Sequence, residues 1–472
     1  ADLAGRSRSP RGAPGGEGPP LAAAAQGLCA AAAPLASGVA VLLLRELWAA
    51  RRLAAGGDEL GPDWAGAGKA STTTIGGLLS GDWLRELPPG GSYVWMHVDR
   101  EAQACVISRL EEAPAHPGTP RELVSHRISL LDGALSSLEE ELASIRAENQ
   151  GAVRAHSQRP DSDRPEQREA FWSERELFDA RVRRFAARLE QDLLGERSSL
   201  LGGQPAGAAS RPGALVLFLD SFLAQLPLEA CPCLWGREVV RGAAPNVLLA
   251  QLAEARQRGA GEGSSHGDGA PGPRGPRTGY YALNPLGGTD ITGRTVLELL
   301  QGWRAPPSSP APSGWSGRAG GACPKAHEVL GALATHDAFL YMGHGETAGR
   351  LLCQGQVELG PTSLQAAARR AQDRPPRAAV LLMGCNTARP AVPEGLEHEA
   401  FSLPLALLAQ GVPAVVGTLW DVLGGDLDRV ARALLERWAG QAAGPGGGGP
   451  SALPRATLAA ALAAARPACH LP

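Results

Sequence analysis

The 472-residue chain has few aromatic side chains, 4 % of the total, and no strong charge of either sign. At a net charge of −3, whole-chain attraction to nucleic acid or to an anionic membrane is not expected. Eight cysteines are scattered without any CxxC pair, which predicts neither a disulfide framework nor a zinc site. Cys231-Pro232-Cys233 is the one close pair, and its single intervening residue suits neither role. The plain reading is a reducing compartment, cytosol or nucleus. No signal peptide is expected from these residues. The apolar stretch from Leu21 to Leu44 is interrupted by Gln26, Pro34, Ser37 and Gly38. It reads as buried helix, not as the run of about 20 strongly apolar residues that a membrane span needs. The chain starts at Ala1 without a methionine and reads as part of something longer.

What is abundant is glycine (61) and proline (39), concentrated in a few low-complexity stretches at 1–20, 202–213, 257–278 and 305–321. The first is expected to be disordered, and the others to be a linker and two surface insertions. Residues 21–55 read as helix, with Val41, Leu44 and Trp48 at helical spacing. The β-rich runs Tyr93–Val98 and Ala104–Leu110 predict a hairpin. Two long amphipathic helices follow. Leu130, Leu131, Leu138, Leu142 and Ile145 mark the one at 130–150; Phe171, Leu177, Val182, Phe185 and Leu189 mark the one at 171–195. The polar stretch Arg154–Glu169 separates them, with Pro160 and Pro165 as breakers.

From Ala214 the texture changes. Short apolar runs at Ala214–Leu219, Tyr280–Leu283, Ala338–Met342, Ala378–Met383 and Ala414–Leu419 alternate with helical segments near 363–372, 403–409 and 426–438. That alternation predicts an α/β fold with a mostly parallel sheet covered on both faces. Ligand sites in such sheets lie at the carboxyl ends of the strands, here after Met342, Met383 and Leu419.

Gly343-His344-Gly345 follows the first of these strands and Gly384-Cys385-Asn386 the second. A thiolate is a strong nucleophile, and an adjacent imidazole can take its proton. Backbone N–H groups around Gly343, Gly345 and Gly384 could stabilise an oxyanion. Taken singly, a strand-end cysteine is usually core, and a lone histidine is usually structural or exposed. After the third strand come Asp421, Asp426 and Asp428. On position alone they read as helix-capping carboxylates; they could also bind a cationic substrate side chain.

The runs Tyr341-Met-Gly-His-Gly345, Leu381-Leu-Met-Gly-Cys-Asn-Thr-Ala388 and Gly411–Val422 resemble the separase family of caspase-like proteases. Leu226-Pro-Leu-Glu229 with Cys231–Trp235, Tyr280–Pro285, Gly314-Trp315 and the helical pair with Phe171-Trp172 are similar to further pieces of that family, from about Trp83 onward. The resemblance implies a caspase-like αβα sandwich with a mostly parallel central sheet, preceded by a pseudo-protease domain with inserted helices. It divides the chain into a disordered 1–20, a helical remnant of an upstream repeat region at 21–60, a pseudo-protease domain at 61–205 and a catalytic domain at 206–472.

It implies Cys385 as nucleophile, His344 as general base, and Asp426, with Asp421 and Asp428, as the pocket for a substrate arginine. The implied substrate is the kleisin subunit of cohesin, cut after Arg in a Glu-x-x-Arg site at anaphase. The implied partner is a securin-like inhibitor, with no nucleic acid, no membrane and no cofactor, acting in nucleus and cytoplasm and at the spindle or centrosome. Leu423 and Gly424 depart from the family's acidic segment, Glu346 stands where a small residue is usual, and an acidic residue expected after the cysteine falls at Glu397 or Glu399. Two other functions fit the same residues: a caspase-like protease with different targets, and a caspase-like binding scaffold without turnover.

Overall fold

The computed structural model describes residues 82–88, 91–111, 122–157, 165–202, 213–243, 245–261, 275–287, 293–303, 314–346, 350–352, 358–360, 376–391, 402–439 and 456–469. Expectations for 1–60, for the helix near 363–372 and for Glu397 and Glu399 lie outside these residues.

The first sheet joins β1 (Ser92–Asp99), β2 (Ala104–Glu111), β3 (Glu122–Ser129), β4 (Leu215–Leu219) and β5 (Val239–Gly242) in the order β3-β2-β1-β4-β5. β1 and β2 form the expected antiparallel hairpin, and β4 lies parallel to β1. The expected start of the second domain at residue 206 therefore falls within the run that builds this sheet, because β4 and β5 extend β1.

Between β3 and β4 the chain makes α1 (Ala134–Ser157) and α2 (Pro165–Leu193). Pro165, expected as a breaker, is instead the first helical residue, where a missing N–H costs nothing. Leu138, Leu142 and Ile145 of α1 and Phe178, Val182, Phe185 and Leu189 of α2 are buried against one face of the sheet. Leu177, read as a core position, is 72 % exposed. It precedes Phe178 by one residue, about 100° around the helix from the buried row. Leu131, 79 % exposed, lies in the turn before α1 and never joins its apolar face. The other sheet face carries Trp95 stacked on Phe218 at 4.9 Å.

The second sheet is wholly parallel, in the order β13-β12-β8-β6-β7. Its strands are β6 (Thr278–Leu283), β7 (Gly314–Ala319), β8 (Ala338–Met342), β12 (Ala379–Met383) and β13 (Val415–Gly417). β7 corrects the reading of 305–321 as loop; with three glycines or alanines among its six residues and a mostly exposed surface, this edge strand carries no hydrophobic signature. Three further helices were not foreseen: α3 (Pro245–Gly261), α4 (Arg294–Gly302) and α5 (Ala326–Thr335). Side chains alternate cleanly. Phe339, Tyr341, Val380 and Leu382 face α5 and α6 (Leu403–Ala409), while Leu340, Met342, Leu381 and Met383 face α4, α7 (Gly424–Trp438) and α8 (Leu458–Ala465). Both faces are thus covered, which explains the near-continuous apolar strands. After β8 a small antiparallel sheet forms from β9 (Gly345–Glu346), β10 (Arg350–Leu352) and β11 (Glu358–Leu359). Among the described cysteines, Cys323 is disulfide-bonded, a bridge that the sequence spacing does not reveal, and five are free thiols.

Candidate active site

β8 and β12 run parallel with Met342 opposite Met383. The turns that follow them leave the sheet abreast, and Gly343 N donates to Met383 O at 3.1 Å. This register sets His344 beside Cys385. The approach is so close that only glycine fits. A Cβ on Gly384 would lie 2.5 Å from Gly343 O, and one on Gly345 would lie 2.5 Å from Cys385 O. The Leu283-Asn284-Pro285 segment packs on the same place: Asn284 takes a left-handed φ of 44° and donates its N–H to Met342 O at 2.7 Å.

The turn after Cys385 is held from three sides. Asn386 sits at φ 55°, its main-chain N–H donates to Trp420 O at 3.1 Å, and its Nδ2 donates to Asp421 Oδ1 at 2.7 Å. The buried Thr387 Oγ1 lies 2.7 Å from Leu382 O and 3.1 Å from Gly384 O, and accepts from Thr418 N at 3.2 Å. Thr418 Oγ1 in turn donates to Gly384 O. Asn386, Thr387 and Thr418 were not foreseen as site residues. The only signal was that two of them follow the cysteine directly.

The Cys385 sulfur accepts from Val422 N at 3.4 Å and lies 3.6 Å from Val422 O. Burial pushes this thiol up to about 11; the Val422 amide acts against that, and the Asp421 carboxylate adds to it. His344 is exposed. Its carbonyl is fixed by Tyr341 Oη at 2.6 Å and Leu352 N at 3.0 Å. Glu346, beside it on β9, pairs with Arg350 across the ladder at 2.9 Å, so its charge is met within its own hairpin.

The three aspartates have different partners. Asp421 adjoins the cysteine turn. The Asp426 side chain is 2 % exposed and pairs with Arg429, one turn along α7. Asp428 accepts from Gly293 N at 2.6 Å and from Thr295 Oγ1 at 3.2 Å, and so caps the start of α4. The helical pair reaches the site as well. Asn149 on α1 donates Nδ2 to Asp421 O at 2.6 Å, and the buried Arg175 on α2 donates Nη1 to Asn149 Oδ1 at 2.9 Å. A cavity of about 360 Å³ lies between α1 and the cysteine turn, with Arg146, Gln150, Phe222, Arg389, Trp420 and Asp421 in its wall.

Chemically, the arrangement offers a thiol and an imidazole on adjoining turns, backbone N–H groups between them, and no cluster of His, Cys, Asp or Glu that could hold a metal among the described residues.

Residues 205–427 match the family model for the protease domain of separin. The chain is 33 % identical over 249 residues to separin of Mus musculus, covering 53 % of this chain and 10 % of that protein. It is 32 % identical over 232 residues to separin of Emericella nidulans, covering 49 % and 9 %. It therefore spans about a tenth of the length of these relatives. Two crystal structures of the Saccharomyces cerevisiae separase–securin complex are similar in fold, at TM-scores of 0.56 and 0.58 and 15 % identity, covering 81 % and 84 % of this chain and 29 % and 30 % of theirs.

Proposed function

We propose, from the match of residues 205–427 to the separin protease-domain model, that this chain is a cysteine endopeptidase of the separase family with Cys385 as nucleophile and His344 as general base. The observation that carries this reading is the abreast exit of the two turns from β8 and β12, forced by glycines that allow backbone contact. In the proposed reaction Cys385 Sγ attacks the scissile carbonyl carbon and His344 accepts the thiol proton. The oxyanion forms against the amides around Gly345 and Cys385; the Gly343 N–H is already given to Met383 O and the Gly384 N–H to Leu382 O. His344 then protonates the departing amine, and water releases the acyl group.

The proposed substrate is the cohesin kleisin, cut after Arg in a Glu-x-x-Arg site at anaphase, in nucleus and cytoplasm. The proposed partner is a securin-like inhibitor seated in the same cleft. Asp426 is assigned to the substrate arginine. Its present pairing with Arg429 means that the incoming guanidinium has to displace a neighbour of like charge. We place the division between the two parts of the chain after β5, since β4 pairs with β1 and β5 with β4.

The buried, engaged Asp426 also favours a second reading, a caspase-like scaffold that binds a securin-like segment without cutting it. An acyloxymethyl ketone on a Glu-x-x-Arg peptide decides between them. Labelling of the wild type that is lost in Cys385→Ser and weakened in His344→Ala and Asp426→Ala is expected. A folded wild type that takes no label rejects the protease.

A further inference from the structure

The buried Asp426 carboxylate stands in the field of two arginines, and they differ in their freedom to move. Arg429 pairs with it directly, one turn along α7, and its side chain is 43 % exposed. Arg175 comes from α2, in the helical insertion, and is 4 % exposed. It reaches the loop before α7 through Asn149 on α1. Arg175 Nη1 donates to Asn149 Oδ1 at 2.9 Å, and Asn149 Nδ2 donates to Asp421 O at 2.6 Å. The stretch from Asp421 to Leu423 leads into α7, where the Asp426 N–H donates to Leu423 O at 2.9 Å.

Among the described residues no carboxylate bonds directly to Arg175. Its one acceptor is the neutral Asn149 amide, its Nη2 is buried without a hydrogen-bond partner, and its guanidinium lies 4.9 Å over the Phe178 ring. The carboxylates of the insertion have cations of their own: Asp179 pairs with Arg183 at 2.7 Å, and Glu148 with Arg181. Burial lowers Arg175, and of the charges that act against burial the Asp426 carboxylate is the largest, ahead of Asp179 and Glu148. An arginine keeps its charge in such a place. The buried cation of the insertion is thus balanced chiefly by an aspartate on α7.

The two arginines part company when a substrate arginine arrives. The incoming guanidinium takes the place of Arg429, whose side chain has solvent to swing into. Arg175 stays, enclosed and tied to Asn149. A cation bound at Asp426 therefore meets its repulsion, and a neutral side chain of the same shape does not. We infer that Arg175 is a positioning residue that sets the charge preference of the Asp426 pocket: it steadies the Asp421 loop through Asn149 and, as a fixed second cation, holds down the preference for arginine over a neutral side chain. This rests on the assignment of Asp426 to the substrate arginine, which the protease and the scaffold readings share, and requires no turnover.

The test therefore uses the Cys385→Ser chain, titrated by calorimetry at constant low ionic strength with two peptides. One carries a Glu-x-x-Arg site; the other has citrulline, the uncharged isostere, in place of the arginine. Tighter binding of the arginine peptide is expected, with that preference lost in Asp426→Asn. Arg175→Gln should raise the preference roughly threefold or more, and Arg175→Lys, which restores the charge, should return it toward the starting value. Each variant is read where it unfolds cooperatively; if Arg175→Gln does not, Arg175→Met, which keeps an apolar stem against Phe178, is read in its place. Equal loss of affinity for both peptides would confine Arg175 to a structural part and overturn the inference, as would an unchanged or lowered preference. A Cys385→Ser chain that binds both peptides equally, or neither, removes instead the assignment of Asp426, and the inference falls with it.

Discussion

Asn149 donates its side-chain amide to the main-chain oxygen of Asp421 at 2.6 Å, across 272 residues of sequence. Through this one bond a helix inserted in the first sheet steadies the loop that faces the nucleophile turn of the second. Arg175 completes the link at 2.9 Å from the far side. Asn149→Ala leaves a buried guanidinium without that acceptor and is expected to cost about 1–3 kcal/mol, read by denaturant unfolding. The same variant should slow labelling of Cys385 more than unfolding accounts for. A variant of wild-type reactivity would confine Asn149 to a structural part.

The glycines at the two turns make a sharper demand. Gly345→Ala places a methyl 2.5 Å from Cys385 O, a distance no real Cβ adopts, so one turn must move. Loss of labelling with a stability cost of about 1–3 kcal/mol is expected. His344→Ala, by contrast, removes an exposed side chain whose main-chain contacts persist, and should abolish turnover in a chain that still unfolds cooperatively.

Titration of Cys385 gives a pH test. Its thiol moves from 9.0 to about 11, chiefly through burial. The folded chain thus holds this proton more tightly than the unfolded chain. Stability from this group is complete below pH 9 and is lost as pH rises through about 11. Alkylation of the Cys385 peptide by iodoacetamide, followed by mass spectrometry, should have its midpoint near the upper value. Asp421→Asn removes the carboxylate that raises it and should lower the midpoint. An unchanged midpoint would place Asp421 too far from the sulfur to act on it.

How far the sequence foretold this site differs from element to element. β8, β12 and α6 were legible to within a residue, because buried parallel strands are continuous apolar runs and α6 follows a serine cap. β7 and β9 were invisible: one is built of Gly, Ser, Arg and Ala around a single tryptophan, and the other has two residues. The sequence placed His344 beside Cys385 only on the condition that their strands are neighbours, and β8 and β12 do pair. The tethers were not foreseen: Thr418 reaches the cysteine turn across 34 residues and Asn149 reaches Asp421 in the facing loop across 272, separations that no local pattern carries. The capping reading of Asp428 drew on the helix dipole of α7; the atoms it caps belong to α4.

At the other sheet, Glu229 offers an acid-side test. Burial alone would raise its carboxyl, but the Arg241 guanidinium, bonded at 2.6 and 2.7 Å, holds it down to about 2. A depressed carboxyl contributes stability above its ordinary value of 4.5, and that stability is lost as pH falls toward 2. Glu229→Gln should flatten acid unfolding between those limits. An acid limb as steep as the wild type's would remove the pair from any account of acid sensitivity.

The parallel pairing of β1 with β4 carries a consequence for how the chain acquires its shape. Ser92 pairs with Leu215, and the β-hairpin and the two long helices lie wholly between them. Those pieces close on near neighbours and can form early, whereas the β1–β4 seam ties off a loop of about 120 residues and must wait for both ends. During synthesis the β1 edge stays unpaired until β4 has emerged, so the interval in which this chain is most open to mispairing is set by the length of its own helical insertion.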